Sequence, residues 1–297
     1  MLTRFEIESA VRAALVEDAP WGDLTSTALF GPTARAEALL VSREHGTFSG
    51  GEVFRAAFEL LDRDVRVTDL VPDGTRFAPG DELARVAGSA RSVLQSERVA
   101  LNFVQRMSGT ATLTSRFVDA VRGTSTRIAD TRKTTPGLRA FEKHAVVSGG
   151  GHNHRYSLSD AVMVKDNHLA VVTNGGESVS GALRALRARL PHTTHVEVEV
   201  DRLDQIEEVL AGGADTVMLD NFTLDDLRRG VSLIDGRAVA EASGTVSLET
   251  VRAIAETGVD VVSVGALTHS ARALDLGLDV RISPHDALGE AVETWTP

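Results

Sequence analysis

The spacing of apolar positions changes once along the chain. Near the N-terminus, Ile7, Val11, Ala14 and Leu15 recur at helical spacing behind Thr3-x-x-Glu6, a capping-box sequence. Residues 33–42 alternate with period two and predict a strand, while Val53, Phe54, Ala57, Phe58 and Leu61 predict a helix over 51–61. Alternation returns over 64–71, ahead of the turn sequence Pro72-Asp73-Gly74. A third strand is expected over 82–87. A long helix is expected over 92–107, with Val93, Leu94, Leu101, Val104 and Met107 inward. This first part reads as an α+β unit.

From about residue 126, short apolar runs are each followed by polar or glycine residues and then by a helical pattern. The runs cover 127–130, 161–164, 196–200, 216–219, 238–240 and 261–264; helices are expected over 180–190, 203–210, 224–233 and 248–257. Repeated β-α units imply a parallel sheet with helices outside. The near-regular strand spacing favours a barrel over an open sheet, and six visible strands favour an incomplete barrel. The fold class is therefore α/β: an incomplete, about six-stranded parallel β/α barrel with an N-terminal α+β sandwich domain. The tail 274–297 carries a strand-like 278–282 and is expected to rejoin the first domain. The division expected is 1–110 with the tail 272–297, against 111–271.

Polar residues fall at the ends of these runs. Asp130-Thr131-Arg132-Lys133 closes the first and Lys165 the second. Glu197 and Glu199 share one face of the third, since side chains alternate along a strand. Asp220 ends the fourth, Glu241-Ala-Ser243-Gly244 the fifth and Gly265 the sixth. Parallel barrels bind ligands at the C-terminal ends of their strands. Ser243-Gly244-Thr245 and Val264-Gly265-Ala266 can offer backbone N–H groups to a phosphate. Glu199 and Asp220 are hard oxygen donors suited to Mg²⁺. Arg132, Arg155 and Lys165 can clamp carboxylates. The run Gly149-Gly150-Gly151 lets His152, Asn153, His154 and Arg155 approach a ligand. The chain has no Walker loop, dinucleotide-binding glycine fingerprint or zinc-protease helix motif.

Composition sharpens this picture. The chain has 28 arginines but only three lysines, Lys133, Lys143 and Lys165, all in one stretch. An ammonium is a compact point charge that the planar guanidinium fork cannot replace everywhere. Net charge is −11, yet six Lys/Arg face four Asp/Glu between Asp130 and His168. That local excess would attract a small polyanion, while the overall charge argues against a nucleic-acid partner. No cysteine is present, which excludes disulfides, thiolate metal sites and a cysteine nucleophile. No apolar run approaches the ~20 residues of a membrane span, and Met1-Leu2-Thr3-Arg4-Phe5-Glu6 lacks a leader's apolar stretch. A cytoplasmic protein without a membrane partner is expected. From the residues alone, two other readings stay open. Lys165, beside Val162, Met163 and Val164, could serve a Schiff-base lyase, or the chain could bind anions without catalysis.

The chain resembles quinolinate phosphoribosyltransferases. The matching segments include Glu17-Asp18, Gly22-Asp23-Leu24-Thr25, Glu97-Arg98-Val-Ala-Leu-Asn102 and Asp130-Thr-Arg-Lys-Thr-Thr-Pro-Gly-Leu-Arg139. They continue with Gly149-Gly-Gly-His-Asn-His-Arg155, Lys165-Asp-Asn-His168, Glu197-Val-Glu199 and Met218-Leu-Asp-Asn221, then Glu241-Ala-Ser-Gly244 and Gly265-Ala-Leu-Thr-His269. Small departures, such as Ser148 and Val164, fall where no substrate contact is expected. The resemblance implies a pentosyltransferase joining quinolinate to phosphoribosyl pyrophosphate with loss of CO₂. By that resemblance Arg132, His154, Arg155 and Lys165 hold the dicarboxylate, Lys133, Glu199 and Asp220 serve the ribose, pyrophosphate and Mg²⁺, and Thr131 also binds substrate. Lys133, Lys165, Glu199 and Asp220 are the catalytic set, with Glu199 and Asp220 holding the metal directly or through water. Ser243–Thr245 and Val264–Ala266 hold the 5-phosphate. Arg98 is expected to cross from the neighbouring subunit of a homodimer, which could assemble further into a hexamer of dimers. Mg²⁺ enters with phosphoribosyl pyrophosphate, and no prosthetic group is expected.

Overall fold

The computed structural model describes residues 2–174 and 176–283, so 284–297 of the expected tail lie outside the described residues. The chain divides into two compact units: Met1–Leu113 with Gly137–Gly149 and Ala271–Pro297, and Thr114–Pro136 with Gly150–Ser270.

In the first unit a four-stranded antiparallel sheet runs in the order Leu276–Ser283, Arg35–Ser42, Glu82–Ser89, Arg66–Thr68. The late strand pairs with the early one along its whole length, from Leu276 opposite Ser42 to Ser283 opposite Arg35. A small ladder joins Gly46–Thr47 to Arg76–Phe77. Helix Arg4–Asp18 begins with the capping box expected at Thr3 and Glu6. Its apolar stripe joins a core built from Leu40, Phe48, Phe54, Phe58, Leu83, Val93 and Val104.

Two features of this unit were not legible as local pattern. The helix expected over 92–107 runs over Ala90–Ala120, and Ser108-Gly109-Thr110 lies within it. Gly109 is there for close approach, because a Cβ at that position would collide with the carbonyl oxygen of Arg272. Residues 137–149, expected within the barrel domain, cluster with the first unit instead. They form the helix Arg139–Ser148, whose Phe141 and Ala145 are buried in that unit's core. Burial of its apolar stripe decides where it belongs. The helix Gly51–Glu59 has only Gly50 at its N-cap. Asp73, from the expected turn, supplies the missing acceptor: its Oδ1 takes the Gly50 and Gly51 amides at 3.1 and 3.0 Å.

The second unit holds a six-stranded sheet in the order Arg127–Ala129, Val261–Ser263, Val239–Ser243, Thr216–Asp220, Val196–Val200, Val162–Val164. Every pairing is parallel. The first strand thus pairs with the last, and among the described residues the second pairs only with the third. The seam between first and second strands makes the barrel incomplete. The glycine-rich segment enters beside that seam: His152 forms a lone parallel bridge with Ala129, and the Arg155 guanidinium donates to the Ala161 carbonyl at 2.9 Å.

Strand period two separates the faces. Val196, Val198, Val200, Val217, Leu219, Ala240, Ala242 and Val262 are buried, as are Leu183, Ile206, Val209, Leu227 and Ile234 on the intervening helices. At Gly230 a Cβ would meet Leu219 at 2.8 Å, so helix and strand touch there. The alternate positions, Glu197, Glu199, Met218, Asp220, Glu241, Ser243 and Ser263, form the inner face that builds the site. Among the described residues, no helix is long and apolar enough to cross a membrane.

Candidate active site

A cavity of about 590 Å³ opens at the C-terminal ends of the parallel strands. It gathers Thr131, Arg132, Lys133, His154, Arg155 and Lys165 with Glu199, Asp220, Ser243, Gly244 and Thr245. Parallel register explains the convergence. Glu199 lies opposite Met218, Met218 opposite Glu241, and Asp220 opposite Ser243, so residues far apart in sequence stand at one level. Asn221, Met163, Met218 and Ser263 also line the cavity, although nothing in their sequence spacing singles them out as ligands.

The cations are held in place. Lys165 Nζ donates to Glu199 Oε2 at 2.8 Å. Arg155 is partly buried; desolvation and the neighbouring Arg132 charge both lower its pKa, against Glu197 and Asp160. The Lys133 carbonyl accepts from Thr268 Oγ1 at 2.7 Å, and its amide donates to Thr131 Oγ1. Lys143 is different: it is buried on the helix Arg139–Ser148 of the first unit. Only two of the three lysines therefore reach this cavity.

The two proposed phosphate turns differ. Gly244 has φ +133, and a Cβ there would lie 2.5 Å from Asn221 Oδ1. Only glycine fits that approach. At the second turn the Val264 amide donates to the Ala129 carbonyl at 2.8 Å and the Val264 side chain is buried. A Cβ added at Gly265 would lie 3.1 Å from Lys133 Cδ. Val264, Gly265 and Ala266 are not among the residues that line the cavity. Arg98 is exposed on the helix Ala90–Ala120 in the first unit and is likewise not part of the lining.

Behind the cavity lies a polar cluster that sequence reasoning did not assemble. His154 Nε2 stands 2.9 Å from Glu197 Oε2 and 3.6 Å from Glu241 Oε1. The loop carrying it is pinned by its own amide, which donates to the buried Asp130 at 2.9 Å. By donor count and spacing, His154, Glu197 and Glu241 could coordinate a divalent cation, since one ligand atom of each lies within 4.8 Å of the others. The hydrogen bonding opposes it. The Arg155 amide can only donate, and it meets His154 Nδ1 at 2.7 Å. Nδ1 is thus the acceptor and the ring proton sits on Nε2, the nitrogen a metal would need. Glu199 and Asp220 suit Mg²⁺ better: hydrogen bonds engage one oxygen of each, from Lys165 and Asn221, leaving each a second hard oxygen at the rim.

A larger cleft of about 1100 Å³ in the first unit includes Arg4, Arg12, Arg55, Arg63 and Arg66 with Glu8, Glu52 and Glu59. Several of its charges pair locally, as Arg4 does with Glu8 at 2.7 Å. No glycine lines it.

An incomplete parallel barrel with cations, acids and a glycine turn at its strand ends defines a barrel enzyme for phosphate-bearing, anionic substrates. Comparison with known proteins narrows this. A family model described as the C-terminal domain of quinolinate phosphoribosyl transferase matches residues 110–279, and one for its N-terminal domain matches 23–108. The nicotinate-nucleotide pyrophosphorylase (carboxylating) of Mycobacterium leprae is 44% identical over 292 residues, covering 94% of this chain and 100% of that protein. The crystal structure of NadC from Streptococcus pyogenes superposes with a TM-score of 0.91 at 42% identity, covering 96% of this chain and 99% of that one. A nicotinate-nucleotide pyrophosphorylase from Francisella tularensis gives 0.88 at 36% identity, covering 95% and 98%. The chain belongs to the quinolinate phosphoribosyltransferase family.

Proposed function

We propose that the strand-end cavity is where quinolinate and phosphoribosyl pyrophosphate meet. As a member of its family the chain is a nicotinate-nucleotide pyrophosphorylase (carboxylating). It transfers the phosphoribosyl group to quinolinate with decarboxylation, giving nicotinate mononucleotide, pyrophosphate and CO₂ in NAD biosynthesis. One observation carries the assignment of the site: Arg132, Lys133, Arg155 and Lys165 line a single cavity in a protein of net charge −11. Two anionic reactants need such a focus of positive charge.

Arg132, Arg155 and Lys165, with His154 behind them, take the two carboxylates of quinolinate; the Arg155 fork suits bidentate binding. Ser243, Gly244 and Thr245, with Gly265 and Ala266, receive the 5-phosphate through backbone N–H groups. Thr131 and Lys133 serve the ribose and pyrophosphate. The ring nitrogen of quinolinate attacks ribose C1 as the C1–O bond to pyrophosphate breaks. Positive charge builds on the ribose, where Glu199 and Asp220 offset it, and negative charge builds on the leaving group, where Lys133 and Lys165 offset it. Glu199 and Asp220 would hold magnesium, directly or through water, which would supply further charge neutralisation for pyrophosphate. Once the C–N bond exists, the adjacent positive pyridinium nitrogen stabilises the electron pair left at C2 by departing CO₂, and that pair then takes up a proton.

The Schiff-base reading loses its support. Lys165 is half-exposed and tied to Glu199, not the desolvated amine such chemistry uses. The working unit is a homodimer in which Arg98 of one subunit reaches the other's cavity, and its place is the cytoplasm. Turnover of quinolinate with phosphoribosyl pyrophosphate and Mg²⁺, followed by quinolinate loss and CO₂ release, tests the site through variants. Arg132→Ala and Arg155→Ala should raise the KM for quinolinate. If both left it unchanged, the cavity assignment would fall.

A further inference from the structure

Lys133 is exposed, yet its main chain is fixed on both sides. Its amide donates to Thr131 Oγ1 at 3.0 Å, and its carbonyl accepts from Thr268 Oγ1 at 2.7 Å. The two bonds differ in reach. The first shapes the loop internally, as does the Thr134 amide on the Arg132 carbonyl at 3.0 Å. The second comes from 135 residues away, on the helix Ala266–His269 that follows the last barrel strand. The ladder between first and last strands pairs Ala129 with Ser263 and closes with the Val264 amide on the Ala129 carbonyl. At Lys133 and Thr268, further along the same two segments, a side-chain hydroxyl takes up the connection. Thr268 is fully buried beside the equally buried Leu267, so this donor cannot turn out to solvent. A hydroxyl has one hydrogen to give. The Gly265 carbonyl at 3.3 Å is the more distant acceptor, and the Lys133 carbonyl takes the proton.

Gly265 completes the arrangement. Its φ of −64 and ψ of −32 are ordinary right-handed helical values, so its backbone does not demand glycine. Space does. A Cβ there would lie 3.1 Å from Lys133 Cδ and 3.1 Å from His269 Nε2, inside the ~3.5 Å at which carbon atoms pack best. The aliphatic stem of Lys133 therefore passes close over Gly265.

We propose that Thr268 is a positioning residue for Lys133: its buried hydroxyl fixes the root of the lysine, while Gly265, bare of a side chain, leaves room for the stem. The inference deepens the reading above, in which Lys133 serves the ribose and pyrophosphate, and it rests on that reading. An ammonium on a flexible four-carbon stem is a poorly placed charge by itself. Fixing its root and confining its stem turns it into a preorganised one. Thr268 does not line the cavity, so it acts through Lys133 and not on a substrate.

The test is a double-mutant cycle on the full-length enzyme, reading kcat/KM for phosphoribosyl pyrophosphate and KM for quinolinate with Mg²⁺ present. Thr268→Val keeps the side-chain shape and removes the donor. It should lower kcat/KM for phosphoribosyl pyrophosphate on the order of tenfold to a hundredfold, the range for a misplaced catalytic group. The KM for quinolinate should hardly move. Thr268→Ser restores the donor and should recover most of the loss. In a Lys133→Ala background Thr268→Val should have no further effect, because the side chain it positions is gone. A general weakening of the fold would act in both backgrounds alike. Isothermal titration of phosphoribosyl pyrophosphate gives the same comparison where turnover is too slow to follow.

Gly265→Ala is the second arm and decides the matter if Thr268→Val does not fold. Its methyl group should displace the lysine stem, and the resulting loss should vanish in the Lys133→Ala background. A methyl group acting on a bound phosphate would keep its effect there. Wild-type kinetics in Thr268→Val, no recovery in Thr268→Ser, or additive losses with Lys133→Ala would each overturn the proposal. Lys133→Ala alone separates the two claims. If it leaves the kinetics unchanged, the role given to Lys133 fails; if it lowers them while Thr268→Val does not, only the positioning by Thr268 fails.

Discussion

Lys165 donates from Nζ to Glu199 Oε2 across 2.8 Å, joining the ends of two adjacent parallel strands in which Val164 lies opposite Val198. The pair places a cation and an anion side by side at the rim, where the transition state separates charge between ribose and pyrophosphate. Lys165→Ala is expected to lower kcat/KM by about 10²-fold or more, the range for losing one preorganised charge-stabilising donor. Its melting temperature should hardly move, because a half-exposed ion pair contributes roughly 0–1 kcal/mol. Steady-state kinetics and a thermal melt on one preparation check both halves. A large fall in stability would recast the pair as structural.

Arg155 is held by its own guanidinium bond to Ala161. Arg155→Ala should cost about 2–5 kcal/mol in kcat/KM for quinolinate, as for desolvated charge pairs. Nicotinic acid, with one carboxylate, should lose much less in the variant than quinolinate does. Equal losses for both substrates would show that this side chain does not read the second carboxylate.

Gly244 leaves no room for a side chain, since a Cβ would sit 2.5 Å from Asn221 Oδ1 at φ +133. Gly244→Ala should raise the KM for phosphoribosyl pyrophosphate more than that for quinolinate. Isothermal titration with each substrate separates the two effects.

At Gly109 the obstacle is backbone, because an added methyl group would run into the Arg272 carbonyl oxygen. Nothing flexible can give way. Gly109→Ala should destabilise by roughly 1–3 kcal/mol through overpacking, against its better helix propensity. Chemical denaturation measures this directly, and a stabilised variant would contradict it.

Asp73 ties the turn, the Gly51–Glu59 helix and His144 together, with His144 Nε2 at 2.6 Å. Burial would raise its carboxyl, but the bonds from His144, Gly51 and Gly50 prevail and hold it below the ordinary value. The sign follows: stability from a depressed carboxyl is present above its unfolded pKa and lost as pH falls through the folded one. Asp73→Ala should cost about 1–2 kcal/mol near neutrality, as loss of a helix cap does. The wild-type advantage should shrink below about pH 4. Melting curves across that range check it.

Much of this protein is determined locally. The capping box at Thr3 and Glu6, the strand Val196–Val200 and the alternation of β and α elements can all be read from periodicity, because side-chain direction along a strand or helix depends only on near neighbours. Strand-end placement of Arg132, Lys133, Lys165, Glu199 and Asp220 follows from the same local rule plus parallel topology. Tertiary structure alone decides what non-local register brings together. The adjacency of Glu197 and Glu241 across an intervening strand, the Asp73 cap on a helix more than twenty residues earlier, the docking of Arg139–Ser148 in the first unit and the ladder bond that removes the Val264 amide have no signature in sequence spacing. Each depends on burial and on backbone pairing between segments far apart in the chain, where free energy is set by the packed neighbours and not by the residue's own pattern.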